Sequence, residues 1–266
     1  MIVVGLKGGV GNQLFQWAFG KNLSNILNVP LFLDLSLLNK NILNVTKRNF
    51  CLDKFPNIHF KIINPEDIKN YNFNIINDDN VFYNNNYFSD QNYYLDGFFQ
   101  SQNFFKKSID LIKNKLKPEI TFIERMFLEY PLKKNTTSLH IRRTDYLKSN
   151  GYHTIQPISY YNNALNIIGD YENIFIFSDD IQWCKHNLNF SNMVFIENLD
   201  DIENIWLMSM CKYNIIANST FSWWGAWLNQ NDGKKIISPK TWYGQQASNL
   251  LDKLIPSEWT IIYEEN

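Results

Sequence analysis

Cysteine is scarce in this chain. Cys51, Cys184 and Cys211 are the 3 present in 266 residues, widely spaced and without a C-x-x-C pair. That spacing offers neither a zinc ribbon nor a thioredoxin-type redox pair, and an odd, sparse set reads as reduced thiols in a cytosolic setting. Histidine is equally thin: His59, His140, His153 and His186 show no metal-ligand spacing. Neither charge is in excess, with 25 basic side chains against 26 acidic for a net charge of -1. Such a balance excludes a protein that grips nucleic acid by bulk charge, although a local basic patch stays open. No apolar run approaches the roughly 18 residues of a membrane span. The opening MIVVGLKGGVG lacks the basic segment and long apolar core of a secretion signal. What is plentiful is apolar material: 45% hydrophobic residues and 16% aromatic. That supplies one large core or two smaller ones and excludes global disorder.

Along the chain, Ile2 to Val4 read as a strand that runs into Gly5, Gly8, Gly9 and Gly11. A helix follows, with Leu14, Phe15, Ala18, Phe19, Leu23, Ile26 and Leu27 recurring at three and four. Pro30 ends it, and a short strand from Leu31 stops at Asp34, giving a βαβ opening. Residues 39 to 95 are rich in Asn, Tyr and Phe and give no clear period. Helical character returns between 97 and 130, as in Ile109, Ile112 and Leu116. The polar stretch from Lys133 to Thr137 reads as a connector, so the expected domains are 1–135 and 136–266. Beyond it strands alternate with helices. Strands are expected at 138–141, 173–177, 193–196, 213–217 and finally 235–238. Helices are expected at 157–168 (with proline in the first turn), 179–188, 201–211 and 221–228. This alternation argues a doubly wound parallel sheet, and the chain reads as two α/β halves.

Four stretches carry chemistry. The first runs from Asn214 to Trp227, where a strand enters Asn218-Ser219-Thr220 and then an aromatic helix. Exposed N–H groups at such a turn suit a phosphate, although a plain N-cap uses the same residues. The second is His140-Ile141-Arg142-Arg143-Thr144-Asp145-Tyr146, at the end of a strand. A guanidinium fork matches a diphosphate, while an Arg–Asp145 structural pair is the plainer alternative. His140 lies inside the strand and reads as a core histidine. The third is Ser178-Asp179-Asp180, where an acidic side chain faces a ribose or base, or else caps the next helix. The fourth is Gly8 to Gln13. Its glycines fit neither G-x-G-x-x-G nor a P-loop, so the dinucleotide reading invited by Asp34 is weak. The chain has no Asp-x-Asp, so a metal–diphosphate clamp of that kind is not expected.

Together the four stretches resemble the α-1,2-fucosyltransferases of glycosyltransferase family 11, in their bacterial type. The resemblance rests on GGVGNQLFQWA, HIRRTDY and STFSWWGAWL, with Gly97-Phe98-Phe99-Gln100-Ser101 as a further element, all in family order. It implies a GT-B fold, with two Rossmann-like domains facing across a cleft. The N-terminal domain would take the acceptor and the C-terminal one GDP-fucose. The implied reaction is inverting transfer of L-fucose from GDP-β-L-fucose to the 2-hydroxyl of a terminal galactose, without metal or other cofactor. The implied partners are GDP-fucose and a galactose-terminated acceptor glycan. The implied placement is cytoplasmic, in O-antigen or capsule synthesis, and compatible with peripheral contact to a lipid-linked glycan at the inner membrane.

On this resemblance Arg142 would hold the diphosphate and stabilise charge on the leaving GDP. Ser219, Thr220 and Phe221 would line the phosphate and nucleoside, and Asp179 or Asp180 would face guanine or ribose. Arg143 and Asp145 would orient this shell. Gly11, Asn12 and Gln13 would lie near the sugar, with Asn12 bonding the diphosphate or the acceptor and Gln100 on the acceptor side. A general base is left open among Asp34, Asp96, Asp145 and His153, of which His153 is the preferred candidate. A phosphate oxygen taking the proton would need no side-chain base. The alternatives are another NDP-sugar transferase of the same fold, a catalytically silent sugar-binding protein, or a nicotinamide or flavin oxidoreductase.

Overall fold

The structure is a computed structural model that describes residues 1–38, 48–79, 91–149, 151–243 and 254–263. It divides into two compact units, Met1–Leu116 and Lys117–Asn266.

The first unit is built from β1 (Ile2–Gly5), α1 (Val10–Leu27), β2 (Leu31–Asp34), α2 (Pro65–Ile68), β3 (Asn74–Ile76), β4 (Tyr93–Leu95) and α3 (Ile109–Leu116). Its four strands are all parallel, in the order β2-β1-β4-β3. The short strands β3 and β4 both lie within 39–95, the stretch without a clear period. α1 is buried on most of its circumference, so its polar side chains need partners inside. Gln16 donates to the carbonyls of Lys7 and Gly97, and Asn22 to that of Phe104. Gly20 lets α1 lie close on the sheet, since a Cβ there would meet Val4 and Leu31. Asn28 ends the helix at φ 53, returning its N–H to Ser24, in the left-handed conformation that asparagine tolerates.

The second unit begins with α4 (Ile120–Glu129) and continues as β5 (Thr136–Ile141), α5 (Ile158–Ile168), β6 (Asn173–Ser178), α6 (Ile181–Asn187), β7 (Met193–Phe195), α7 (Asp201–Met210), β8 (Tyr213–Ile215), α8 (Thr220–Trp227), β9 (Lys235–Pro239) and β10 (Thr260–Ile262). The unit thus starts ahead of the expected boundary at 135/136. The reason lies in α4: its Phe122 packs edge-on against Trp206 of α7, and its Arg125 pairs with Glu203. Pro157 caps α5 instead of entering its first turn. The sheet has one strand more than expected, because β10 adds in parallel to β9.

The strand order is β10-β9-β8-β5-β6-β7. Numbered along the unit, the strands therefore follow the 3-2-1-4-5-6 order of doubly wound nucleotide-binding sheets, with β5 and β8 flanking the point where the direction of winding reverses. Buried side chains hold this centre. Asn214 of β8 donates to Ser138 Oγ of β5 at 2.7 Å and to the Met208 carbonyl at 2.8 Å, and accepts from Asn229 at 2.7 Å. Trp223, Trp224 and Trp227 of α8 are buried among themselves and Trp259. The tryptophan-rich motif is thus core and presents no aromatic platform to a sugar. Gly225 allows α8 to meet α7, as a Cβ would sit 2.7 Å from that of Met208.

Candidate functional site

In an open parallel sheet, ligands bind beyond the carboxyl ends of the strands, where winding reverses. In the second unit that place lies between the ends of β5 and β8. The segment after β5 carries Arg142 to Tyr146, and the segment after β8 carries Asn218 to Phe221. The two are joined directly: Tyr146 Oη donates to the Asn218 carbonyl at 2.7 Å, and the His140 ring lies 5.4 Å from that of Phe221. Asn218 is buried, and its amide nitrogen bonds the carbonyls of Thr154 and Trp242. It thereby fixes two further loops to the same edge.

Arg142 sits between two carboxylates. Its Nη2 reaches Asp145 Oδ2 at 2.8 Å and its Nη1 reaches Asp179 Oδ2 at 3.3 Å. Burial disfavours its charge, yet the hydrogen bond to Asp145 and the charge of Asp179 outweigh burial and hold it above the usual arginine range. It is therefore a fixed cation at the reversal point, oriented before any ligand arrives. Arg143 turns away from that position. Its guanidinium lies 3.7 Å from the centre of the Trp183 ring and its Nε reaches Asp180 Oδ2 at 3.3 Å.

The two aspartates each bond groups of the protein. Asp179 accepts from the backbone N–H of Arg143 at 2.9 Å and of Thr144 at 3.1 Å, and also from the Thr144 hydroxyl. It clamps the turn that carries the arginines. Asp180 caps α6 by accepting from Trp183 N–H at 3.2 Å. Carboxylates at the start of a helix serve both purposes, and geometry alone separates capping from ligand contact.

Ser219 is the N-cap of α8 and accepts from the Phe221 N–H. Thr220 and Phe221 are partly exposed in its first turn, where the positive end of the helix dipole favours an anion. Ser222 turns inward and bonds the carbonyls of Ala217 and Ser219. His140 is buried, which with neighbouring Arg142 pushes its pKa down to about 3, so the ring stays neutral. His153 stacks on Tyr146 at 4.3 Å and meets Tyr152 and Tyr243 at 4.9 Å and 5.9 Å. Its Nδ1 has no partner among the described residues, and burial holds its pKa below the usual value.

In the first unit the corresponding place lies between β1 and β4. Lys7 after β1 pairs with Asp96 after β4 at 3.0 Å, and Gln100 Nε2 donates to Asn12 Oδ1 at 2.9 Å. Gly8 takes the turn before α1 at φ 80, a conformation glycine reaches without cost. Gly9 caps α1 without a side chain. Asn12 is partly exposed, whereas Gly11 and Gln13 are buried. The Gln13 amide is spent internally: Nε2 donates to the carbonyls of Gly8 and Asn49, and Oε1 accepts from Cys51 N–H. Of the other carboxylates considered as bases, Asp34 accepts from Tyr94 and Ser36.

Sequence reasoning did not single out Tyr146, Trp183, Asn218 or Asp78. Tyr146 and Asn218 stood inside recognised motifs, which is the signal that was available. Trp183 and Asp78 act through contacts distant in sequence, and no local pattern marks them.

A family model for glycosyl transferase family 11 matches residues 1–263. The chain belongs to that family. An alpha-1,2-colitosyltransferase of Escherichia coli is 31% identical over 98% of this chain and 99% of its own. The O-antigen biosynthesis glycosyltransferase WbnK of Escherichia coli is 41% identical over 135 residues, which cover 47% of this chain and only 44% of that protein. Among solved structures, NodZ alpha-1,6-fucosyltransferase soaked with GDP-fucose aligns with a TM-score of 0.51 at 13% identity, over 85% of this chain and 91% of that one. NodZ from Bradyrhizobium aligns with a TM-score of 0.50 at 12% identity, over 84% and 91%. At such identity the likeness concerns the fold, and it assigns the two Rossmann-like units to the GT-B class. Among the described residues no helix is long and apolar enough to cross a membrane, and no group of three His, Cys, Asp or Glu side chains could hold a metal ion.

Proposed function

We propose that this family 11 glycosyltransferase moves L-fucose from GDP-β-L-fucose to the 2-hydroxyl of a terminal galactose, with inversion at the anomeric carbon. The observation that carries this reading is Arg142, a preorganised cation at the reversal point of a doubly wound sheet, beside the open first turn of α8. A diphosphate accepted there meets the Arg142 guanidinium and the N–H of Thr220, with Phe221 beside it and Ser219 shaping the turn by accepting the Phe221 N–H. As the C1–O bond breaks, negative charge grows on the leaving GDP, and a fixed cation stabilises the transition state more than the ground state. Arg143, Asp145, Asp179 and Asp180 hold Arg142 and its turn. Asn12, with Gln100 beside it, bonds the acceptor. Gly11 and Gln13 shape the loop that presents Asn12. The acceptor is a galactose-ended glycan of the O-antigen type, handled on the cytoplasmic side.

The carboxylates at the second unit's reversal point are paired with arginine, which supports charge stabilisation by the chain itself. Transfer should therefore persist in EDTA. The test is incubation with GDP-fucose, lactose and EDTA, read as a deoxyhexosyl mass increase on lactose. Loss of transfer that Mg²⁺ restores would contradict the metal-free mechanism.

We keep His153 as the base candidate: its buried Nδ1 has no hydrogen-bond partner among the described residues, and Asp34, Asp96 and Asp145 are held by other side chains. A neutral imidazole takes the proton from the acceptor hydroxyl, and protonation disables it. Because burial holds its pKa below the ordinary histidine value, the acid limb of kcat/KM should lie lower in pH than that of a free imidazole and disappear in His153→Asn. An acid limb retained by a folded His153→Asn chain would remove His153 from this role.

A second donor is favoured by one finding, the full-length relative that acts as a colitosyltransferase. Colitose is L-fucose without its 3-hydroxyl. Paired assays with GDP-fucose and GDP-colitose would rank the two by kcat/KM.

A further inference from the structure

We propose that Asp78, on the segment after β3, is a positioning residue for the acceptor. This rests on the reading of Asn12 and Gln100 as acceptor contacts. Its two carboxylate oxygens grip consecutive backbone groups, Oδ2 accepting from Phe98 N–H at 2.7 Å and Oδ1 from Phe99 N–H at 2.8 Å. Between them they hold an unfavourable conformation. Phe99 lies at φ 51, a region that bulky side chains rarely occupy and that persists only where surroundings impose it.

Three contacts show what the clamp achieves. The Phe99 ring is fully buried against Phe19, at 4.8 Å. It folds back over Gly97, where an added Cβ would meet Phe99 Cζ at 2.7 Å and Asp78 Oδ2 at 2.9 Å. Ser101 N–H then returns to the Phe99 carbonyl at 2.8 Å, closing a three-residue turn with Gln100 at its apex. From that apex Gln100 reaches Asn12 across the reversal point of the first sheet. The ring anchors one side of the turn in the core and Asp78 fixes the other from the surface. Without Asp78 the two N–H groups turn to water, Phe99 relaxes to negative φ, and Gln100 leaves Asn12.

The experiment uses the full chain with Asp78→Ala, Asp78→Asn, Gln100→Ala and the Asp78→Ala/Gln100→Ala double variant. Steady-state transfer is measured with GDP-fucose and lactose. Asp78→Ala should raise the lactose KM about tenfold, the scale of one well-placed hydrogen bond, and leave the GDP-fucose KM unchanged. Asp78→Asn keeps one acceptor oxygen and should lie between wild type and Asp78→Ala, giving a measurable variant if the alanine chain does not fold. In the double variant Asp78→Ala should add nothing to the loss from Gln100→Ala, because both act through one turn. An unchanged lactose KM, equal rises in both KM values, or losses that multiply in the double variant would overturn the proposal. Absence of transfer by the wild-type chain would instead overturn the functional reading beneath it.

Discussion

Arg142→Ala should lower kcat by more than about 100-fold, the scale of losing one preorganised charge stabiliser. The reasoning is differential. In the free protein Arg142 is balanced by Asp145 and Asp179. As the sugar–phosphate bond breaks, the GDP oxygens gain charge, and the attraction to a guanidinium already in place grows without reorganisation. Alanine leaves the two carboxylates facing an incoming diphosphate with no cation between them, which turns attraction into repulsion. Arg142→Lys keeps the charge but loses the planar fork, so it should restore only part of the rate. The cost in stability is modest, about 1–2 kcal/mol, because both carboxylates keep access to water. Near-normal turnover by a folded Arg142→Ala chain would remove Arg142 from the mechanism.

Asp179→Ala should damage both stability and rate. Asp179 accepts from Arg143 N–H, Thr144 N–H and the Thr144 hydroxyl, and pairs with Arg142. Removing it leaves two backbone donors unsatisfied and frees the turn that carries both arginines. The expected loss is about 2–3 kcal/mol, seen as a Tm lower by roughly 5–10 °C. Activity should drop by about tenfold to a hundredfold as Arg142 loses its second anchor. Asp179→Asn keeps one acceptor and should fall between. A residue that read guanine would behave differently: substitution would change the preference among sugar nucleotides and leave Tm alone. That second pattern would assign Asp179 to the ligand.

The second unit was legible because strand and helix patterns alternate along it, helped by a continuous apolar run of the type expected where both sheet faces are covered. Asn173 to Phe177 is of that kind. β10 escaped because Thr260–Ile262 is a three-residue edge strand that is half exposed. β3 and β4 escaped for a related reason, being three residues each and defined by pairing with β1 and with one another. α4 has the same local character as α3, and the contacts of Phe122 with Trp206 and of Arg125 with Glu203 mark the unit it joins. At the site, the placement of Arg142 and Ser219 just beyond strand ends was legible in the sequence. The tasks of Asp179 and Asp180 were not, since a cap and a ligand contact select the same side chain. Gln13 stands in a recognised motif, yet its amide is consumed by Gly8, Asn49 and Cys51. Asp78 left no trace because its task depends on the φ of Phe99, a residue whose type gives no warning.

The most direct measurement is the structure of the product. The protein would be incubated with GDP-β-L-fucose and lactose, and the trisaccharide analysed by NMR for anomeric configuration and by linkage analysis for position. The account predicts α-L-fucose on the 2-hydroxyl of galactose. A β-linked sugar, attachment at another hydroxyl, or GDP-fucose left intact beside galactosides that do accept another sugar nucleotide would contradict it.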